Sequence, residues 1–476
     1  MNFEFWDVFF NDFFFLFSGS LFVLYMVTLS LSIMEVKKHI RKTKGFDYRS
    51  LLSFPKLPSV SIIAPAYNEE KTIVENIKCL LSLQYIDFEI IIVNDGSKDN
   101  TLATIIQHFG LIKVERAYEL KIPCAKIRGI YQSNNPAYHN LLIVDKENGG
   151  KADALNSGIN VSRKDLFLAI DVDCIIEPDA ILKMVRPFID DPTHKVIVSG
   201  GVVRVANSCE VAHGTIVKVN YPKNFWARFQ VMEYLRAFTI GRMAWTKLNG
   251  LLMVSGAFGL FDRDVVIKVG GYDKTTVGED LELVVRMRKY MYEAGVKHRV
   301  AFIPDPLCWT EVPESYKILS RQRNRWTRGA IDTIKKHRSM FFNPKYGIVG
   351  LASFPYWVIY EWLTPIIELI GILFLLLIVV FNMYNIKVMA LIILFVITFS
   401  LLFSTIAIYI EVYTYYKYRG IKYMLLAFLY IFLEMLIYQP TNFYFSLTGN
   451  FDYFFKRNKK GWGTMTRTGF AAKKTN

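Results

Sequence analysis

The sequence predicts a parallel-sheet α/β domain of nearly 300 residues held between membrane-spanning helices, and three observations carry that expectation. Residues 13–34 contain no charged side chain, which is enough length for a helix to cross the roughly 30 Å hydrocarbon layer of a bilayer. Residues 59–345 read as short β-branched runs, such as Val60-Ser61-Ile62-Ile63 and Ile90-Ile91-Ile92-Val93, each followed by Gly, Asn or Asp turns and a helical pattern. From Tyr346 onward the hydrophobic text returns, with 389–410 as its clearest run.

Composition narrows the function classes. The 476 residues carry 57 Lys+Arg against 42 Asp+Glu, a formal net charge of +15. Nucleic acid would suit that excess, but 52% of the chain is hydrophobic, 15% is aromatic and only 21% is charged, against about 25% in a soluble domain. The excess therefore reads as positive-inside loops and contacts to anionic lipid or a phosphate-bearing substrate, with no nucleic acid partner. Cys79, Cys124, Cys174, Cys209 and Cys308 stand far apart. They have neither the spacing of a zinc knuckle nor that of a redox pair, and read as reduced residues.

Taken in order, residues 1–35 form the N-terminal transmembrane helix. Glu4, Asp7 and Asp12 precede it, and Lys37, Lys38, Arg41, Lys42, Lys44 and Arg49 follow it, so the N-terminus is expected outside and the basic linker 36–57 in the cytosol. A cleaved signal peptide needs the opposite flanks. The α/β domain is expected over 58–345, cytosolic and with interfacial helices. Residues 346–451 are expected to supply three or four spans. Pro355, Glu361, Pro365 and Glu368 break the first part, and Glu434 and Gln439-Pro440 interrupt the last, where a crossing and a re-entrant hairpin both fit. The basic tail 452–476 places the C-terminus in the cytosol.

Within the domain, chemistry-bearing residues cluster where strands end, which is where open α/β sheets bind ligands. The first strand runs into Pro65-Ala66-Tyr67-Asn68-Glu69-Glu70, and the second ends in Asn94-Asp95-Gly96-Ser97; taken alone, the latter is an Asx-capped turn. Gly149-Gly150-Lys151 is a Gly-rich loop whose lysine can neutralise phosphate. Strand 166–170 ends in Asp171-Val172-Asp173, two carboxylates able to converge on one hard cation, or, taken singly, a solvated acidic turn. Gly278-Glu279-Asp280 opens a helix over 281–294, where acidic residues also serve as dipole partners. Gln322-Arg323-Asn324-Arg325-Trp326 combines cations, an amide and an aromatic just before the hydrophobic section. Phe225, Phe229, Met232 and Leu235 recur at helical spacing, as in a membrane-surface helix or in one packed in the domain core.

In this order, a strand-tip Asp, a GGKA loop, a DxD, an ED helix start and a QxxRW followed by spans, the chain resembles the membrane-embedded processive glycosyltransferases of family 2. These include the cellulose, hyaluronan, chitin and poly-N-acetylglucosamine synthases. The resemblance covers 58–329 and the flanking membrane segments. It implies a GT-A, Rossmann-like nucleotide-sugar-binding domain and inverting transfer of a hexose from a UDP-sugar, UDP-GlcNAc or UDP-glucose first, to the growing end of a β-linked polysaccharide that the spans help export. It also implies roles. Ala66, Tyr67, Glu70 and Asp95 would hold the uridine, Lys151 and Asp171 the diphosphate region, and Asp173 a Mg²⁺ or Mn²⁺ ion. Asp280, beside Glu279, would be the general base. Gln322, Arg325 and Trp326 would close over diphosphate and acceptor, and Ser255 and Gly256 would meet the acceptor terminus. The family motif TED has Gly278 in place of Thr here, a change expected to be tolerated because the Thr is not the reacting group. The expected setting is multi-pass in the cell membrane, with membrane lipid and accessory export subunits as further partners. Two other readings stay open: a glycolipid synthase that adds one or a few sugars to a membrane lipid, and a transporter whose domain only senses nucleotide-sugar.

Overall fold

A computed structural model describes residues 3–212, 214–381, 386–414 and 421–456. Twelve strands lie in the α/β domain: β1 (Val60–Ala66), β2 (Phe88–Asp95), β3 (Leu111–Val114), β4 (Ile127–Ser133), β5 (Leu141–Lys146), β6 (Leu166–Ile170), β7 (Ile175–Ile176), β8 (Lys195–Val205), β9 (Glu210–Ala212), β10 (Thr215–Lys218), β11 (Phe258–Asp262) and β12 (His298–Thr310). Ten of them make one sheet in the order β3-β4-β5-β2-β1-β6-β11-β8-β12-β7, and β9 and β10 pair separately. The centre is parallel, as the unbroken apolar runs require when both faces are covered. Ile62, Ile63, Ile90, Ile91, Ile92 and Ile143 are all fully buried there.

The sheet as a whole is mixed, which corrects the expectation of a parallel one. β11 runs antiparallel to both β6 and β8, and β3 and β4 form an antiparallel edge. An apolar run shows that a strand is buried but not which way it points. Here the connection from β8 to β11 stays on the carboxyl edge, so β11 enters at that edge, pairing Phe258 with Ile170, and runs back.

Helices α2 (Ile73–Leu81), α3 (Thr101–Phe109), α4 (Lys151–Val161) and α5 (Ala180–Asp190) pack on the sheet, preceded by the long α1 (Phe3–Thr43). The β8–β11 connection holds α6 (Phe225–Arg236), a π-turn and α7 (Arg242–Lys247). α8 (Arg263–Lys268), α9 (Glu279–Glu293) and α10 (Tyr316–Lys336) complete the domain. After it come α11 (Phe354–Tyr356), α12 (Thr364–Val380), α13 (Ile386–Thr414), α14 (Ile421–Leu433) and α15 (Gln439–Phe455).

Among the described residues three helices are long and apolar enough to cross a membrane: Asp12–Thr43, Met389–Val412 and Tyr423–Phe455. A pair bent by 43°, Val349–Trp362 with Thr364–Val380, is a fourth if it counts as one span. The section after the domain thus supplies two, or three with the bent pair. The last helix does not fold back at Gln439-Pro440. It continues through a π-turn over Glu434–Tyr438, and Pro440 follows that turn, so the residue without an N–H falls where the hydrogen-bond ladder is already irregular. α6 takes a third course beside the two expected for it. Its Ala227, Val231, Met232 and Leu235 pack against Ile408, Ala427 and Ile431 of α13 and α14, joining the sheet domain to the apolar helices.

Candidate active site

Because β1, β2, β5 and β6 run parallel, their following loops emerge on one edge. After β1 the chain turns at Asn68, whose backbone has a φ of 58°. The Asn68 side chain accepts from the Lys98 N–H at 2.8 Å, and its own N–H donates to Ser97 Oγ at 3.0 Å. The Glu70 carboxylate accepts from Asn100 N and Nδ2 at 3.3 and 3.2 Å. Residues 67–70 and 96–100 are therefore one hydrogen-bonded unit. Ala66 is buried at the strand end, while Tyr67 stands 41% exposed.

Asp95 is held on all sides. The β2–β5 register sets it beside Lys146, whose fully buried ammonium lies 2.5 Å from one carboxylate oxygen. Asn148 Nδ2, the Gly149 N–H and the Gly150 N–H donate to the same carboxylate at 3.2, 3.0 and 2.8 Å. Gly150 adopts a φ of 87°, which a side chain would strain, and this turns its N–H toward Asp95. Lys146 also pairs with Asp153 at 2.8 Å, and Lys274 reaches Asp153 at 3.0 Å. Burial works to raise the Asp153 pKa, yet Lys146, the Ala125 N–H and Lys274 hold it below the usual carboxylate range. In this structure Asp95 shapes the glycine loop. Lys146, Asp153 and Lys274 were not singled out from sequence. A lysine ending the buried run Leu141–Lys146 is the signal that could have found them, since a buried cation must have an anionic partner.

The shaped loop delivers Lys151 to the first turn of α4. Its ammonium pairs with Asp171, just past β6, and donates to the Gly256 carbonyl at 3.0 Å. The antiparallel entry of β11 puts Gly256 there, because the residues before Phe258 lie against those after Ile170, and Asp171 N–H donates to Ala257 O at 3.2 Å. A Cβ on Gly256 would collide with the Asp280 carboxylate, so the absent side chain is the space that Asp280 occupies. Ser255 bridges to Phe258 at the start of β11.

Charge is concentrated at this point. Burial disfavours the Lys151 ammonium, but Asp171, Glu279 and Asp280 hold its pKa above the ordinary value. Burial and then the Asp280 charge push the Glu279 carboxyl upward, with Lys151 and Arg325 opposing. Asp173 is buried beside Asp171, which is a quarter exposed. Among the described residues no third His, Cys, Asp or Glu joins this pair to complete a protein cage. Two carboxylates suit a hard divalent cation whose other ligands are diphosphate oxygens and water.

Helix α10 crosses the start of α9 at a glycine pair. A Cβ on Gly278 would lie 2.8 Å from Gly329 Cα, and one on Gly329 would lie 2.7 Å from Gly278 Cα. This contact brings the Gln322–Trp326 segment to the site and accounts for Gly278 where the resembling family writes Thr. Gln322 Oε1 is buried with no hydrogen-bond partner among the described residues. Arg325 lies within electrostatic reach of Glu279. Trp326 is 42% exposed, with the Arg323 guanidinium carbon 4.1 Å from its ring centroid.

A mixed sheet with a parallel centre, whose carboxyl edge gathers a strand-tip Asp, a glycine–lysine loop, a DxD and an ED helix start, is a GT-A glycosyltransferase domain. Residues 58–329, more than half of the chain, match the family model "Glycosyltransferase like family 2", and 264–471 match a "Chitin synthase" model. The chain belongs to the family 2 glycosyltransferases. It is similar to the poly-β-1,6-N-acetyl-D-glucosamine synthase of Staphylococcus aureus, with 28% identity over 284 residues, 60% of this chain and 57% of the relative. The synthase of the same name from Staphylococcus epidermidis is 28% identical over 297 residues, 62% of this chain and 60% of the relative. The chain thus spans less than two thirds of the length of these curated relatives. Among solved structures, a Pyrobaculum calidifontis mannosyltransferase in complex with GDP-Man and Mn²⁺ aligns at 16% identity and a TM-score of 0.49, over 91% of this chain and all of its own. S. aureus TarS 1–349 in complex with UDP-GlcNAc aligns at 15% identity and a TM-score of 0.37, over 64% of this chain and 74% of its own.

Proposed function

We propose that this protein transfers a sugar from a UDP-sugar, with inversion, to the growing end of a β-linked polysaccharide, and that its membrane helices receive the product. The single observation that carries the reading is the reach of Lys151. One side chain touches Asp171 on the donor side and the Gly256 carbonyl on the acceptor side, and Gly256 lies against Asp280. The name of the staphylococcal relatives favours N-acetylglucosamine as the sugar, with UDP-glucose as the next donor to try. The basic residues after α1 favour a cytosolic α/β domain in the cell membrane.

Asp280 acts as general base. It takes the proton of the acceptor hydroxyl while that oxygen bonds to the anomeric carbon, and the bond from that carbon to the diphosphate breaks to release UDP. One base suffices for a single displacement, in contrast to the carboxylate pair of glycoside hydrolases. Asp173, with Asp171, would hold Mg²⁺ or Mn²⁺, which supplies positive charge to the departing diphosphate. Lys151 adds a cation on the same side when the donor phosphates draw it from Asp171. Trp326 offers a flat face to an acceptor ring, and Arg325 offsets phosphate charge.

Purified protein in nanodiscs, given a panel of UDP-sugars with Mn²⁺ or Mg²⁺, should release UDP from one donor and form a high-molecular-weight product. Asp280→Asn should lower the rate by about 10²–10⁴-fold. UDP release with only a short lipid-extractable product would replace the polymer by a glycolipid, and an unaffected Asp280→Asn would remove Asp280 as the base.

A further inference from the structure

Arg323 sits inside the QxxRW segment, yet its side chain is buried against α6 and the last apolar helix. Its Nη2 donates to Glu233 Oε2 on α6 at 2.6 Å and to the Tyr438 hydroxyl at 3.1 Å. The Tyr438 hydroxyl in turn donates to the same Glu233 oxygen at 2.7 Å. Three elements thus meet in one closed triangle: the interface helix α6, the helix α10 that carries Trp326, and the π-turn of the last membrane helix. The π-turn grips α6 twice. Glu434 at its start pairs with Arg236, and Tyr438 at its end holds Glu233, so a spacing of four on the turn matches a spacing of three on α6. One turn along α10 from Arg323, the indole of Trp326 takes the guanidinium on one face, at 4.1 Å, and remains 42% exposed. A cation fixed on one face of an aromatic ring sets the plane of the ring and leaves one surface for stacking.

We propose that Glu233, Arg323 and Tyr438 are positioning residues that tie the plane of Trp326 to the membrane helices, so that the acceptor sugar is held in register with the segment that receives the product. This rests on the sugar-transfer reading above. A buried guanidinium with a single carboxylate needs both of its acceptors, and loss of either frees it to shift. The indole then loses its fixed face, and the effect falls on acceptor handling rather than on the donor.

Tyr438→Phe keeps the ring and removes only the hydroxyl, and Glu233→Gln keeps the volume and removes the charge. Both would be assayed in nanodiscs alongside the unaltered protein, reading product length, the donor KM, and kcat/KM for an added acceptor oligosaccharide. Shorter product and an acceptor kcat/KM lowered about fivefold or more, with the donor KM within about twofold, is the expected result. Unchanged product length and acceptor efficiency would overturn the proposal. So would a donor KM that rises in parallel, or failure of both variants to fold, since either marks a general structural role. If the unaltered protein transfers sugar and the variants match it, the positioning role alone fails; if it releases UDP from no donor, the sugar-transfer reading fails and takes this inference with it.

Discussion

Glu279 and Asp280 share the first turn of α9, where the Asp280 charge makes a negative charge on the buried Glu279 more costly. Burial and the Asp280 charge raise the Glu279 pKa, so this carboxyl stays protonated to a higher pH than a free one. Glu279→Gln keeps the volume of the protonated acid but cannot ionise. It should therefore keep most of the transfer rate in weakly acidic buffer, where Glu279 is protonated in the unaltered protein, whereas Asp280→Asn loses it. Activity lost at every pH in Glu279→Gln alone would shift the base assignment to Glu279. Asp280, Lys151, Asp171 and Asp173 were legible in sequence because short motifs in one order carry them. Lys146, Asp153 and Arg323 were not, since what they do depends on cross-strand register and helix crossing. Asp95 was legible as a strand-tip carboxylate, but its bonds to the glycine loop follow only from the pairing of β2 with β5.

At the scale of elements, the edges of the central strands and of α9 could be read within three residues, because apolar runs and acidic helix starts are local signals. The direction of β11 could not, and yet it is what brings Gly256 beside Asp171. The crossing of α9 and α10 was likewise invisible, although Gly278 stands in a quoted motif and Gly329 lies three residues past another. The Gly278–Gly329 approach leaves no room for a methyl group on either side, and the obstacle is backbone rather than a flexible side chain. Gly278→Thr, which restores the family's usual letter, should therefore damage this protein. Overpacking of this kind costs about 1–3 kcal/mol. It should also push Arg325 away from Glu279, so that a lower melting temperature in detergent accompanies a loss of transfer. A variant that melts and turns over normally would mean the helices can part without consequence.

The α/β domain and the apolar helices are held together by charges that composition alone does not place. Candidate spans could be located from hydropathy, but Glu434 reads only as an interruption, and Glu411 as the residue after the 389–410 run, until their partners are seen. Those partners lie in the α/β domain and its interface helix: Arg204 near the end of β8 pairs with Glu411, and Arg236 of α6 with Glu434. Arg204 and Glu411 are both 2% exposed at their side chains, so each charge depends on the other. Removing one partner of a buried pair leaves an uncompensated charge, at a cost of about 3–5 kcal/mol, whereas replacing both by apolar side chains of similar size is often neutral. Glu411→Ala should therefore lower the melting temperature in nanodiscs sharply, and Arg204→Met with Glu411→Leu should recover most of the loss. Ala227, Val231, Met232 and Leu235 of α6 pack on the same apolar helices, so the double variant keeps an apolar contact to lean on. If the double variant is as unstable as Glu411→Ala, the pair supplies specific geometry that packing cannot replace. If neither variant changes the melting temperature, the sheet domain and the apolar helices hold together without this pair.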